Sequence, residues 1–288
     1  MATTDDLPQL GGDLYLSDGG LETALIYLQG VDLPHFAAFP LIETKEGRAH
    51  LRAYFEPFLK AAVARKLGFV LDTPTWRASP DWGAVLGYSA EALVDLNKRA
   101  VTWARALAEE FATPDTPVVV SGVVGPRGDG YVPDKLMTAA QARRYHFAQV
   151  EALASAGADM VSAITMNYPA EGVGIALAAR DAGVPAVISF TLETDGRLAT
   201  GDSLEAAIAA VEQASDAYPA YYMINCAHPA HFAETLPEGA GWTGRIRGIR
   251  ANASTRSHAE LDAATDLDAG DPDDWPNAMR SCAKSSAV

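Results

Sequence analysis

Short apolar runs alternate along this chain with longer stretches in which alanine and leucine recur at helical spacing. The runs fall at 13–17, 69–72, 118–124, 160–165, 186–190, 221–225 and 245–251, and their Val, Ile, Tyr and Phe content predicts buried strands. The stretches 48–66, 89–111, 138–156, 170–181, 203–215 and 258–267 predict helices. Ser89-Ala90-Glu91 and Ser203-Leu204-Glu205 each set a capping hydroxyl before an acidic first turn. Gly68, Gly157 and Gly183 stand between a helix and the next strand, as helix-ending glycines do. Strands alternating with helices imply a parallel sheet, covered on both faces or closed into a barrel. The expected fold class is α/β, a (β/α)8 TIM barrel, incomplete because seven of its eight strands are readable. One barrel domain is expected over residues 1–270, with a divergent Asp/Pro/Ser-rich tail over 271–288.

Composition narrows the function classes. A hydrophobic share of 49% with 20% charged residues in 288 residues suits a globular protein with a sizeable core. The formal charge of −15 argues against partners rich in phosphate, so neither nucleic acid nor an anionic membrane surface is expected. Two cysteines give no disulfide framework, the N-terminus lacks a signal-peptide pattern, and no apolar run reaches the roughly 20 residues of a membrane span. A cytoplasmic location is the expectation.

Candidate chemistry gathers at the carboxyl ends of the predicted strands, where parallel α/β folds bind ligands. Those ends read Asp18-Gly19-Gly20, Asp72-Thr73, Gly125-Pro126, Thr165 with Asn167, Ser189 with Thr191, Asn225-Cys226 and Asn252. Each alone is also a common turn or cap, and it is their coincidence that argues for a site. Cys226 has two readings: a thiolate that ligates metal or attacks a substrate, or a small buried hydrophobe. Cys226, His228 and His231 form a C-x-H-x-x-H cluster that could ligate zinc, although histidines beyond a strand also serve as caps. No G-x-G-x-x-G follows a strand, and no P-loop or nucleophile elbow is present.

In order, DGGLET at 18–23, FPLI at 39–42, GFVLDTPTWRAS at 68–79, GVVGP at 122–126, the pair Ile188–Thr191 with TGDSL at 200–204, and INCAHP at 224–229 resemble the homocysteine S-methyltransferases. The resemblance runs from about Asp13 to about Asp271. It implies a (β/α)8 barrel that binds Zn2+ through three cysteines, the first matching Cys226 and the other two adjacent in a GGCCGT segment. It also implies two small-molecule partners, a thiol acceptor (homocysteine, which becomes methionine) and a methyl donor, with zinc holding the acceptor sulfur as a thiolate. Asp18, Gly19 and Gly20 would form the substrate floor, with Thr73, Thr165 and Asn225 shaping it.

The chain departs from that pattern twice. GGCCGT is absent, so the zinc site is incomplete; His228, His231 and Cys282 are the auxiliary ligands the chain could offer. An unclosed barrel also leaves two edges that favour a homo-oligomer. The fourth strand ends in Ile164-Thr165 where the family has Glu-Thr, whose acid would hold the substrate amino group. Glu171, one helical turn on, either substitutes for it or is a solvated helix residue. The leading expectation is thiol S-methyl transfer. The competing ones are a catalytically impaired barrel acting as a binding protein and a metal-independent barrel lyase using Asp18 and Cys226.

Overall fold

A computed structural model describes residues 7–237, 239–271 and 273. Seven parallel strands pair strictly in sequence order: β1 (Tyr15–Ser17), β2 (Gly68–Asp72), β3 (Val118–Val124), β4 (Met160–Met166), β5 (Ala186–Thr191), β6 (Tyr221–Asn225) and β7 (Ile246–Arg250). The helices are α1 (Leu21–Tyr27), α2 (Lys45–Arg65), α3 (Pro80–Val85), α4 (Ala90–Phe111), α5 (Ala139–Ser155), α6 (Pro169–Ala182), α7 (Leu204–Ser215), α8 (Pro229–Phe232) and α9 (His258–Asp262). The result is a nearly closed α/β barrel in which, among the described residues, β1 and β7 do not pair with each other. All seven expected strands form. The last expected helix, 258–267, stops at Asp262.

Alternation along the strands builds two cores. On β2, Phe69 and Leu71 point outward and are fully buried against α2 and its neighbours, among them Leu51, Phe55 and Leu59. Val70 and Asp72 point inward, as the period of two requires. The lower barrel interior is filled by Val119, Met160, Val187 and Tyr221, and Leu7 and Leu10 close it from below. Each fully buried leucine or phenylalanine stabilises by about 1.5–3 kcal/mol, so the larger outer core dominates stability.

The caps follow the sequence. The Ser89 and Ser203 hydroxyls accept from the Ala92 and Ala206 N–H groups, and Gly183 ends α6 in the left-handed region at φ 68°. Gly68 differs from its expected role as a helix terminator. Lys66 takes the left-handed cap of α2 at φ 55°, whereas Gly68 opens β2 with no room for a side chain, because a Cβ there would stand 2.2 Å from the Tyr15 ring. No helix among the described residues is long and apolar enough to cross a membrane.

Candidate active site at the carboxyl mouth of the barrel

The strand tips converge on a cavity of about 120 Å3 whose wall includes Asp18, Glu22, Thr73, Ile164, Cys226 and Arg250. A second cavity of about 250 Å3 lies deeper in the barrel, beside the gap between β1 and β7. Arg250, the last residue of β7, reaches across the gap. Its Nη1 donates to Asp72 Oδ2 at 2.7 Å, and its Nη2 lies 3.2 Å from Asp18 Oδ1. Tyr54 of α2 donates its hydroxyl to Asp18 Oδ2 at 3.0 Å. One guanidinium thus ties the last strand to the tips of the first two.

Burial pushes the Asp18 carboxyl up to about 6, with Asp72 adding to the rise and Arg250 opposing it. Burial also works against the charge on Arg250, but Asp18 and Asp72 more than offset it and hold the guanidinium above its ordinary value. Asp18 Oδ1 has no hydrogen-bond donor, despite its ion-pair distance to Arg250. It is a buried acceptor beside the cavity, with Arg250 as its close cation.

Asn225 organises the opposite wall. Its Oδ1 accepts from the Ser189 hydroxyl at 2.6 Å and from the Thr165 N–H at 3.0 Å, and its Nδ2 donates to Thr165 Oγ1 at 3.0 Å. Thr165 is held at φ 68°, costly for a β-branched residue, where the pairing of β4 with β5 shifts register. Thr73 is buried below. It shares a hydrogen bond of 2.6 Å with Thr75 and accepts from the Val123 N–H. The Gly19 and Gly20 backbone completes the floor.

Cys226 follows Asn225 in the left-handed region at φ 57° and is half-buried rather than exposed. Its carbonyl accepts from His258 Nε2 at 2.6 Å and from Asn252 Nδ2 at 3.0 Å. The neighbouring Cys226 sulfur and burial together push the Tyr131 phenol well above its ordinary value. Tyr131 stacks on the His258 ring, with centroids 4.1 Å apart. It reaches the cavity from the loop at 125–137, which Asn167 Nδ2 ties down by donating to Asp129 O and Gly130 O.

Each of the two expected auxiliary histidines has one ring nitrogen engaged by the backbone. His228 Nδ1 accepts from the Ala230 N–H, capping α8, and burial together with His231 holds this imidazole below its ordinary value. His231 Nε2 meets the Thr255 carbonyl at 3.0 Å. Cys282 lies outside the described residues. Among the described residues no group of three His, Cys, Asp or Glu side chains is placed to hold a metal ion. A catalytic zinc takes three protein ligands, so the described donor set, with Cys226 as its single thiolate, does not fit one.

The reading of Glu171 as a solvated helix residue is overturned. Glu171 is buried, with Oε1 bonded to His146 Nε2 and to the Arg127 N–H, each at 2.8 Å. It anchors the loop that carries Tyr131 and stands outside the cavity wall. Sequence reasoning also passed over Arg250, Tyr131, His258 and Glu22 as site residues.

A near-closed parallel barrel with its polar cavity at the carboxyl ends of the strands defines a barrel enzyme of the TIM class. A scan against protein families matches the homocysteine S-methyltransferase family over residues 15–287, and the chain belongs to that family of S-methyltransferases. The match extends past Asp271, where the recognisable motifs end. Among solved structures, the chain is similar to the metallated form of the homocysteine methyltransferase MmuM from Escherichia coli. The two are 23% identical with a TM-score of 0.64, over 84% of this chain and 92% of that one. The oxidised form of the same protein gives 22% identity and a TM-score of 0.64, over 88% of this chain and 97% of that one. These likenesses show a shared fold. A search of curated proteins finds no match.

Proposed function

We propose that this protein transfers a methyl group to the thiol of homocysteine or a closely similar amino-acid thiol, bound in the cavity at the barrel mouth. Family membership supports the reaction class, and the single observation that carries the site is the convergence of Asp18, Thr73, Thr165, Asn225 and Cys226 on one cavity.

The reaction forms a sulfur–carbon bond, breaks the bond between the methyl group and the donor heteroatom, and releases the thiol proton. Asp18 Oδ1 is placed to take that proton. It has no donor of its own, and its carboxyl, at about 6, stays mostly ionised at neutral pH while lying close enough to accept. Arg250 keeps Asp18 fixed, and Asn225 fixes the wall on which the acceptor lies, so positioning supplies much of the catalysis. Zinc, which the resemblance implies for the acceptor sulfur, finds one thiolate among the described residues, and these proton and positioning roles belong to the chain's own side chains.

A second reading, a barrel that binds ligands without turnover, draws on that short donor set. Incubating the protein with homocysteine and S-methylmethionine, S-adenosylmethionine, betaine or methylfolate in turn tests the two. Methionine formation that Asp18→Asn abolishes supports methyl transfer. Ligand binding with no methionine from any donor supports the binding protein.

A further inference from the structure

We propose that Glu22 is the residue that holds the ammonium group of the amino-acid acceptor, which rests on the methyl-transfer reading above. The cavity wall carries three carboxylates, Asp18, Glu22 and Asp72, and one guanidinium, Arg250. That guanidinium is committed to Asp72 and Asp18 at 2.7 and 3.2 Å. Tyr54 donates to Asp18 as well. Glu22 receives none of this. No cationic side chain among the described residues lies within ion-pair distance of it.

Arg77, the other guanidinium acting on Glu22 at longer range, stacks on Trp82 with its carbon 3.9 Å from the ring centroid. It therefore leaves the acid unpaired. Burial pushes the Glu22 carboxyl up to about 7, the mark of a carboxylate lacking a counter-ion. Glu22 is half-buried in the cavity wall, and an acid drawn partly out of water without an ion-pair partner gains when a ligand supplies the cation. The opposite wall cannot bind the ammonium, since Ile164 offers no charge there and the nearby acid Glu171 is committed to His146 and the Arg127 backbone. A thiol with an α-ammonium group entering over Gly19 and Gly20 would meet Glu22 as the acid still lacking a cation.

Calorimetric titration of the full chain with homocysteine and with 4-mercaptobutanoate, its analogue lacking the amino group, tests the assignment. The wild type is expected to bind homocysteine roughly tenfold or more tightly than the analogue, the scale of one charge-assisted hydrogen bond. Glu22→Gln, neutral and of the same shape, should close that gap by weakening homocysteine alone. S-methylmethionine is titrated in parallel. Equal affinity of the wild type for the two thiols overturns the assignment without any variant, as does an unchanged preference in E22Q. Weaker S-methylmethionine binding in E22Q with homocysteine unaffected overturns it too, by giving the acid to the donor. If the wild type binds neither thiol, the methyl-transfer reading falls together with the assignment.

Discussion

Replacing Arg250 by methionine tests how the seven described strands are held together across the gap between β1 and β7. Methionine keeps most of the aliphatic stem but removes the charge that spans from β7 to Asp72 at 2.7 Å and Asp18 at 3.2 Å. The side chains of Arg250, Asp18 and Asp72 are 16, 3 and 7% exposed, so water screens little of the interaction. Removing one partner of such a buried pair costs about 3–5 kcal/mol, because the remaining charge is left uncompensated. Here two carboxylates remain, and like charges at one site drive one of them to take up a proton.

The cost should therefore depend on pH. In the wild type Asp18 titrates at about 6, and in the variant it should hold its proton to higher pH. Over the roughly two pH units between 8 and 6 the variant binds a proton the wild type lacks, recovering about 1.4 kcal/mol per unit. Urea denaturation followed by circular dichroism should thus show R250M losing about 3–5 kcal/mol at pH 8 and only about 1–2 kcal/mol at pH 5.5. A loss below about 1 kcal/mol at pH 8, or the same loss at both pH values, would refute the bridging role of Arg250.

Other outcomes follow from the same geometry. Glu22 is raised from 4.5 to about 7 on folding, so the folded state binds the extra proton between those values and stability falls as pH rises through them. E22Q should remove that decline, recovering at most about 3 kcal/mol at pH 8 and nothing at pH 4, which thermal melts at the two pH values would show. Asn225→Ala breaks three buried hydrogen bonds and frees Thr165 from its φ of 68°, and should cost about 2–4 kcal/mol in a urea melt; a cost under 1 kcal/mol would mean that Asn225 does not hold the bulge. Elemental analysis of purified protein should find well under one zinc per chain, given a single thiolate among the described residues. One zinc per chain, lost in both Cys226→Ser and Cys282→Ser, would instead assign the missing ligand to the tail.

Much of the barrel was legible because β2 to β6 are largely buried apolar runs bounded by polar tips, and a period of two survives inspection even where termini blur. The site was less so. Asp18, Thr73, Thr165, Asn225 and Cys226 could be found as strand tips, and the structure brings them to one cavity. Arg250 was hidden because its role depends on a gap between non-adjacent strands, which no local pattern encodes. Tyr131 sits in an irregular loop, so its approach to Cys226 depends on the Asn167 and Glu171 anchors rather than on spacing. Glu171 looked solvated because one acid in a helix says nothing about the His146 buried opposite it on α5. His228 and His231 matched ligand spacing, yet among the described residues they join no third donor that would complete a metal site, and the backbone engages one nitrogen of each ring.

The central claim is methyl transfer to a thiol at the barrel mouth. Its most direct test is mass-spectrometric detection of a labelled methyl group on homocysteine, with each of the four donors supplied in turn. Labelled methionine should form with at least one donor and disappear in Asp18→Asn while the variant remains folded. A folded wild-type protein that yields no labelled methionine with any donor, with and without added zinc, would contradict the account.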